Sequence, residues 1–184
     1  YNSAENTSDQ SLRDALHNII DDHTKFDYTS NTATDTWDIL KESDVDPNNR
    51  DNVILIYTRQ SVDGNQEYNS GNGWNREHVW AKSRGDFGTF IGTGSDAHNL
   101  RASNIVVNST RSNYSFDDCE SNCRETFGNY YNGTALVFEP RDEDKGDVAR
   151  IIFYMDVRYE GDNDEEVDLE MTEDILSKTC LLYT

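Results

Sequence analysis

Trp74-Asn-Arg76-Glu77-His78-Val-Trp80-Ala-Lys82-Ser-Arg84-Gly-Asp-Phe87 is followed, after a Gly/Thr-rich gap, by Ser95-Asp-Ala-His98-Asn-Leu100-Arg101-Ala-Ser-Asn104-Ile-Val-Val-Asn108-Ser-Thr-Arg111-Ser-Asn113-Tyr-Ser-Phe116. This stretch holds two of the four histidines and five of the sixteen basic residues. Trp74–Trp80 reads as a strand. A glycine-rich loop follows, and a helix is expected from near Ser103, carrying Ile105, Val106 and Asn108. The order is strand, loop, helix.

Glu77 and His78 are the chemical centre of the stretch. Adjacent residues of a strand point to opposite faces, so the pair converges on one site only at a bulge or a strand end. A carboxylate and nearby asparagine amides (Asn104, Asn108, Asn113) are hard oxygen donors suited to Mg²⁺ or Ca²⁺. Histidine is the side chain whose ordinary pKa allows base catalysis near neutrality. Arg76, Lys82, Arg84, Arg101 and Arg111 surround the pair, and guanidinium forks match phosphate oxygens. Phosphodiester hydrolysis needs a base for water, positive charge at phosphorus and help for the leaving oxygen. The stretch holds residue types for all three.

The rest of the chain is acidic. Net charge is −20 over 184 residues. Residues 76–111, with five basic and three acidic side chains, form a local exception. An acid-coated protein repels polyanions, so the basic segment marks a local anion site. Such a coat also suits salty surroundings, where screening lengths shrink to about 3 Å at 1 M salt, and salt tolerance is an expectation. The length suits one domain with a real core. No apolar run reaches the roughly 18 residues of a membrane-spanning helix. Tyr1 opens no basic-then-apolar leader, so any signal peptide is expected to have been removed or never to have existed.

Outside the centre the chain reads as scaffold. Leu12, Ala15, Leu16, Ile19 and Ile20 define an amphipathic helix opening near Ser8 or Asp9, and His17 and His23 are expected at its surface without a catalytic role. A short helix is expected over Thr34–Lys41. Asp44–Asn49 lacks the EF-hand's glycine and glutamate, because Asn49 and Leu55 fall at those positions, so it reads as an Asx-stabilised turn. Asn52–Arg59 reads as a buried strand and Ala135–Phe138 as another, stopped at Pro140. Val148, Ile151, Ile152, Met155 and Tyr159 share a face of a strong helix, in which Arg150 is either solvated or directed at the site. Gly161–Glu170 reads as a solvated acidic loop, and a last helix is expected from Thr172. Cys119 and Cys123 are close enough for a local disulfide, which suits an exported protein, and Cys180 is left over.

The motifs N-R-E-H-V-W, D-A-H-N-L and V-N-S-T-R-S-N-Y-S-F, in that order, resemble the endonuclease I family of secreted and periplasmic non-specific nucleases, within the ββα-metal (His-Me finger) superfamily. D-P-N-N-x-x-N-V-I-L-I-Y upstream and F-E-P-R-D-x-x-K-G-D-V-A-R-I-I-F-Y-M downstream extend the resemblance over most of the chain. It implies an α+β fold, one nuclease domain over 1–184, with the ββα-metal finger at about 74–116. It implies His78 as the general base and Glu77 and Asn108 as ligands of one Mg²⁺, for which Mn²⁺ or Ca²⁺ substitutes. The substrates implied are DNA and also RNA, cut to 5′-phosphates by a secreted or periplasmic monomer. Arg76, Arg84, Arg101 and Arg111 are the candidate phosphate contacts, Arg84 standing nearest the family's clamping arginine and Arg111 alternatively ordering the helix end. His98 is expected to be structural. Ala81 stands where the family often has proline.

Two other readings remain open at this level. One is a calcium-stabilised extracellular interaction module with a vestigial site. The other is a zinc hydrolase using His78, His98 and a carboxylate, although zinc sites favour His and Cys over this oxygen-rich set.

Overall fold

The computed structural model describes residues 2–161 and 167–171. The first apolar stripe forms helix α1 (Asp9–Ile20), and the second helix, α2, spans Thr36–Ser43. Asp35 sets its start. The Asp35 carboxylate accepts from the N–H groups of Trp37 and Asp38, while the Asp38 side chain accepts from the Asp35 N–H. First-turn donors that a helix leaves unpaired are thereby satisfied.

Strands β1 (Val45–Asp46), β2 (Asn49–Ile54) and β3 (Ser61–Asp63) form an antiparallel sheet in that order. The turn between β1 and β2 is closed by Asp46, whose Oδ1 accepts the Asn48 N–H at 2.8 Å. The expected strand over Asn52–Arg59 is displaced: the pairing of this strand with β3 ends at Ile54, and beyond it Ile56 makes an isolated parallel bridge to Ser103. Tyr57 and Arg59 take φ of 68° and 54°, a left-handed conformation that a pleated strand does not admit.

The central stretch supplies β4 (Trp74–His78), the short helix α3 (Lys82–Gly85), β5 (Leu100–Asn104) and α4 (Ile105–Arg111). β4 and β5 pair antiparallel, with Glu77 opposite Arg101 and His78 opposite Leu100. Leu100–Asn104 is therefore a strand where the sequence suggested loop and helix. Asn104 ends it, because its side-chain oxygen accepts from the N–H groups of Val106 and Val107 and caps α4.

The remaining strands are β6 (Ser115–Phe116), β7 (Arg124–Thr126), β8 (Asn129–Asn132) and β9 (Val137–Glu139). They form a third sheet in the order β6-β9-β8-β7, in which only β6 and β9 run parallel. Helix α5 (Asp142–Arg158) follows, with Asp142, Glu143 and Asp144 in its first turn, where carboxylates oppose the positive end of the helix. Its buried face is Val148, Ile151, Ile152 and Met155, as the periodicity indicates. Arg150 is solvated and pairs with Asp147 at the surface. Contrary to expectation His17 is buried, its Nδ1 lying 2.8 Å from the Val157 oxygen of α5. Arg13 of the same helix pairs with Asp156 and Glu160. The fold is α+β. Among the described residues no helix is long and apolar enough to cross a membrane. The expected last helix and Cys180 lie outside the described residues, and so does part of the acidic loop.

Two apolar clusters hold the β4-β5-α4 unit. Trp74, Leu100 and Ala102 pack with Leu40, Val53 and Leu55. Val79, Trp80 and Val107 pack with Phe116, Phe138 and the buried face of α5. Trp74 and Trp80 are fully buried, so two large side chains pin the chain on either side of Asn75–Val79. Burial of this size dominates local energetics and fixes the segment that carries Glu77 and His78.

Candidate active site

Among the named strands, β4 pairs with β5 alone. Helix α4 covers its other edge. Asn108 and Arg111, three residues apart and so on one helix face, donate to β4 and its continuation. Asn108 Nδ2 reaches the Arg76 oxygen at 3.3 Å and Asn75 Oδ1 at 3.0 Å. Arg111 Nη1 reaches the His78 oxygen at 3.5 Å and Nη2 the Val79 oxygen at 2.5 Å. A cleft of about 640 Å³ opens along this edge and is lined by Arg76, Glu77, His78 and Asn108 together. Neighbouring strand residues share one site because the cleft runs along the strand edge at its C-terminal end, rather than over either face.

His78 is buried and its Nε2 lies 2.8 Å from the backbone oxygen of Gly94. A carbonyl oxygen only accepts, so Nε2 carries the hydrogen and Nδ1 the lone pair. Tyr28 stacks on the ring at 5.5 Å and Phe87 lies tilted at 6.1 Å. Burial pushes the imidazole down to about 4 against the smaller upward pull of the Gly94 bond, with Lys82, Arg76 and Arg111 adding to the depression. At neutral pH the ring is neutral and fit to accept a proton.

Glu77 is 2% exposed. Its Oε1 accepts the Tyr57 hydroxyl at 3.0 Å and lies 3.3 Å from Arg111 Nε, a close ion pair without the alignment of a hydrogen bond. Burial raises the carboxyl to about 7, with Arg111 and Tyr57 pulling the other way. The buried charge is thus under-compensated by the protein, and a cation would relieve it. Both protein contacts fall on Oε1, and Asn108 uses its amide nitrogen. Among the described residues Glu77 Oε2 and Asn108 Oδ1 have no hydrogen-bonding partner, and they supply one carboxylate and one amide oxygen to the cleft. That donor set suits a hard cation that keeps most of its waters. No group of three or more His, Cys, Asp or Glu among the described residues is placed to hold a metal ion.

The other candidate residues are distributed unevenly. Arg76 lines the cleft, but its guanidinium lies over Tyr28 and Trp37 at 3.5 and 4.1 Å and donates to the Tyr28 oxygen and to the hydroxyls of Thr36 and Thr29. Arg111 is 1% exposed and lies over Phe116. Its donors meet backbone oxygens, including that of Ser112 just past α4, so in this arrangement it orders the helix end and braces Glu77 without surface to offer a phosphate. Arg84 ties α3 to the Asn113 oxygen at 2.8 Å. Arg101 donates to the Ala97 and Leu100 oxygens and lines a separate cavity with Asp44. His98 stacks on Tyr154 at 4.5 Å, with Nδ1 3.3 Å from Asp96, and lines a third cavity. The two imidazoles that a zinc hydrolase would bring together stand in different cavities. Cys119 and Cys123 form a disulfide.

Three positions escaped the sequence reading. Tyr57, Gly94 and Asn75 hold Glu77, His78 and Asn108 respectively. Each acts through a contact distant in sequence, and no local pattern marks it.

The endonuclease I family model matches residues 8–178. The extracellular ribonuclease of Bacillus subtilis (strain 168) is 49% identical over 173 residues, covering 94% of this chain and 57% of that protein. The extracellular ribonuclease of Bacillus amyloliquefaciens gives the same identity and coverage. The chain therefore spans little more than half the length of these relatives. No solved structure matches it.

Proposed function

The chain belongs to the endonuclease I family, and from that premise we propose that it is a secreted, Mg²⁺-dependent endonuclease that hydrolyses RNA and DNA phosphodiesters with little sequence preference. The observation that carries this is the cleft along β4, where a neutral imidazole stands beside Glu77 Oε2 and Asn108 Oδ1, two oxygens without a hydrogen-bonding partner among the described residues. The names of the two Bacillus ribonucleases support RNA as a substrate and an extracellular setting.

His78 removes a proton from water through Nδ1, and the water oxygen attacks phosphorus. The bond from phosphorus to the 3′-oxygen breaks, the departing oxygen takes a proton from solvent water, and His78 returns its proton to solvent, leaving a 5′-phosphate and a 3′-hydroxyl. Glu77 Oε2 and Asn108 Oδ1 are the atoms that would hold Mg²⁺, and Mn²⁺ or Ca²⁺ has the same oxygen preference. A bound Mg²⁺ supplies positive charge to the phosphate oxygens as negative charge builds on them. Tyr57 and Arg111 fix Glu77, and Asn75 fixes Asn108. Contacts directed at phosphate carry no sequence information directly, which accounts for the broad substrate range.

The test is incubation of the purified chain with labelled RNA, single-stranded DNA and plasmid, in Mg²⁺ and in EDTA, with the product ends mapped. Cleavage only with Mg²⁺, to 5′-phosphate ends, is expected. If all three substrates survive Mg²⁺, Mn²⁺ and Ca²⁺ with folded protein, the calcium-stabilised interaction module takes its place.

A further inference from the structure

The loop from Phe87 to Ser95 carries no charged side chain in a chain of net charge −20. Its two limbs touch: a Cβ on Gly94 would stand 2.5 Å from the Gly88 oxygen and 2.8 Å from the Thr89 Cα. Its base is tied down as well. The Gly92 N–H donates to Ser95 Oγ at 3.2 Å, and Ser95 Oγ donates to the Phe26 oxygen at 2.6 Å. Between the pinched limbs, Phe90 is 82% exposed and Ile91 58% exposed. The Phe90 ring lies against Gly88, where an added Cβ would meet its Cε2 at 3.1 Å, and Gly88 lines the cleft that holds His78. A braced loop thus presents an aromatic face at the rim of the cleft.

We infer that Phe90 is a stacking platform for an unpaired nucleobase of the substrate, one within a few nucleotides of the phosphate in the cleft. This rests on the nuclease function proposed above for that cleft. Every base has a π-face, so an aromatic platform adds affinity without reading sequence. Duplex bases are covered by their neighbours, and the platform therefore favours single strands. The contact is also uncharged. On a strongly acidic protein it adds affinity for a polyanion without needing more positive charge, and salt does not screen it.

The test is binding of a labelled single-stranded oligonucleotide in EDTA, where no cleavage competes, by fluorescence anisotropy. Wild type, Phe90→Ala and Phe90→Trp are compared, with folding checked by circular dichroism. Phe90→Ala is expected to weaken binding about tenfold, Phe90→Trp to retain it, and a duplex of the same sequence to be indifferent to either. A fully abasic oligonucleotide of the same length is then compared. It is expected to bind wild type more weakly than the normal strand and to bind Phe90→Ala equally. Equal binding by wild type and Phe90→Ala, no loss of wild-type binding to the abasic strand, or no single-strand binding by wild type at micromolar protein overturns the inference. Cleavage of the same oligonucleotide by the same proteins in Mg²⁺ is read separately. Wild type that binds through Phe90 but never cleaves contradicts the nuclease function and leaves the platform standing, whereas cleavage without any Phe90 dependence of binding does the reverse.

Discussion

The Nε2 of His78 lies 2.8 Å from the backbone oxygen of Gly94, 16 residues further along the chain. This contact selects the tautomer and leaves Nδ1 to take a proton, so the role proposed for His78 would depend on a loop backbone as much as on the imidazole.

Gly94→Ala tests that dependence. The added methyl would meet the Gly88 oxygen and the Thr89 Cα, both backbone atoms, so the loop must move and carry the carbonyl away from His78. A misplacement of about 1 Å costs on the order of 100-fold in rate, and that loss in kcat is expected with the circular dichroism spectrum unchanged. A kcat within twofold of wild type contradicts it.

Tyr57→Phe tests the hold on Glu77. Tyr57 is fully buried, takes φ of 68° and donates its hydroxyl to Glu77 Oε1. Bulky residues rarely occupy that region of φ, and strain of this kind clusters at functional sites. Losing the hydroxyl removes a hydrogen bond to a carboxylate, about 1.5–3 kcal/mol. The concentration of Mg²⁺ giving half-maximal activity is expected to rise several-fold, and the Mg²⁺-induced rise in Tm to shrink. Unchanged metal dependence in both measurements shows that Tyr57 is only a core residue.

Asp96 lines the cavity that also holds His98. Its carboxylate accepts the hydroxyls of Tyr154 and Tyr159 at 3.0 and 2.8 Å and the His98 N–H at 2.8 Å. Burial pushes this carboxyl up, but the His98 side chain and N–H, Tyr159 and nearby His23 together hold it below its ordinary value. A depressed carboxyl contributes stability that is present above the unfolded-state value, near 3.9, and is lost as pH falls through the folded-state value. Asp96→Asn is therefore expected to cost about 2 kcal/mol at pH 7, and its deficit against wild type should narrow as pH falls from 4 toward 2. Urea midpoints across that range measure it, and a deficit independent of pH refutes it.

Much of this architecture is legible in the sequence, and what is not has a physical cause. Trp74–His78 shows its strand, and Val148–Met155 its helix face, through local patterning. Leu100–Asn104 does not, because L-R-A-S-N is poor in β-branched residues and becomes a strand by pairing with β4. Asn52–Arg59 reads as one continuous strand, yet the backbone turns at Tyr57 so that its hydroxyl reaches Glu77. The motif residues Glu77, His78 and Asn108 do share one cleft. The arginines grouped near them in sequence do not stay together, because Arg101 contributes to another cavity and Arg111 is buried beneath the site. Proximity along the chain identified a basic segment but not which guanidinium meets which cavity.

The most direct test of the central claim is degradation of RNA and plasmid by wild type and His78→Ala, each with Mg²⁺ and with EDTA, on proteins whose folding has been confirmed. Wild type is expected to cleave only with Mg²⁺, and folded His78→Ala to lose on the order of 100- to 10,000-fold, the range ascribed to a positioned general base. Undiminished cleavage by folded His78→Ala would contradict the assignment of this imidazole as the base.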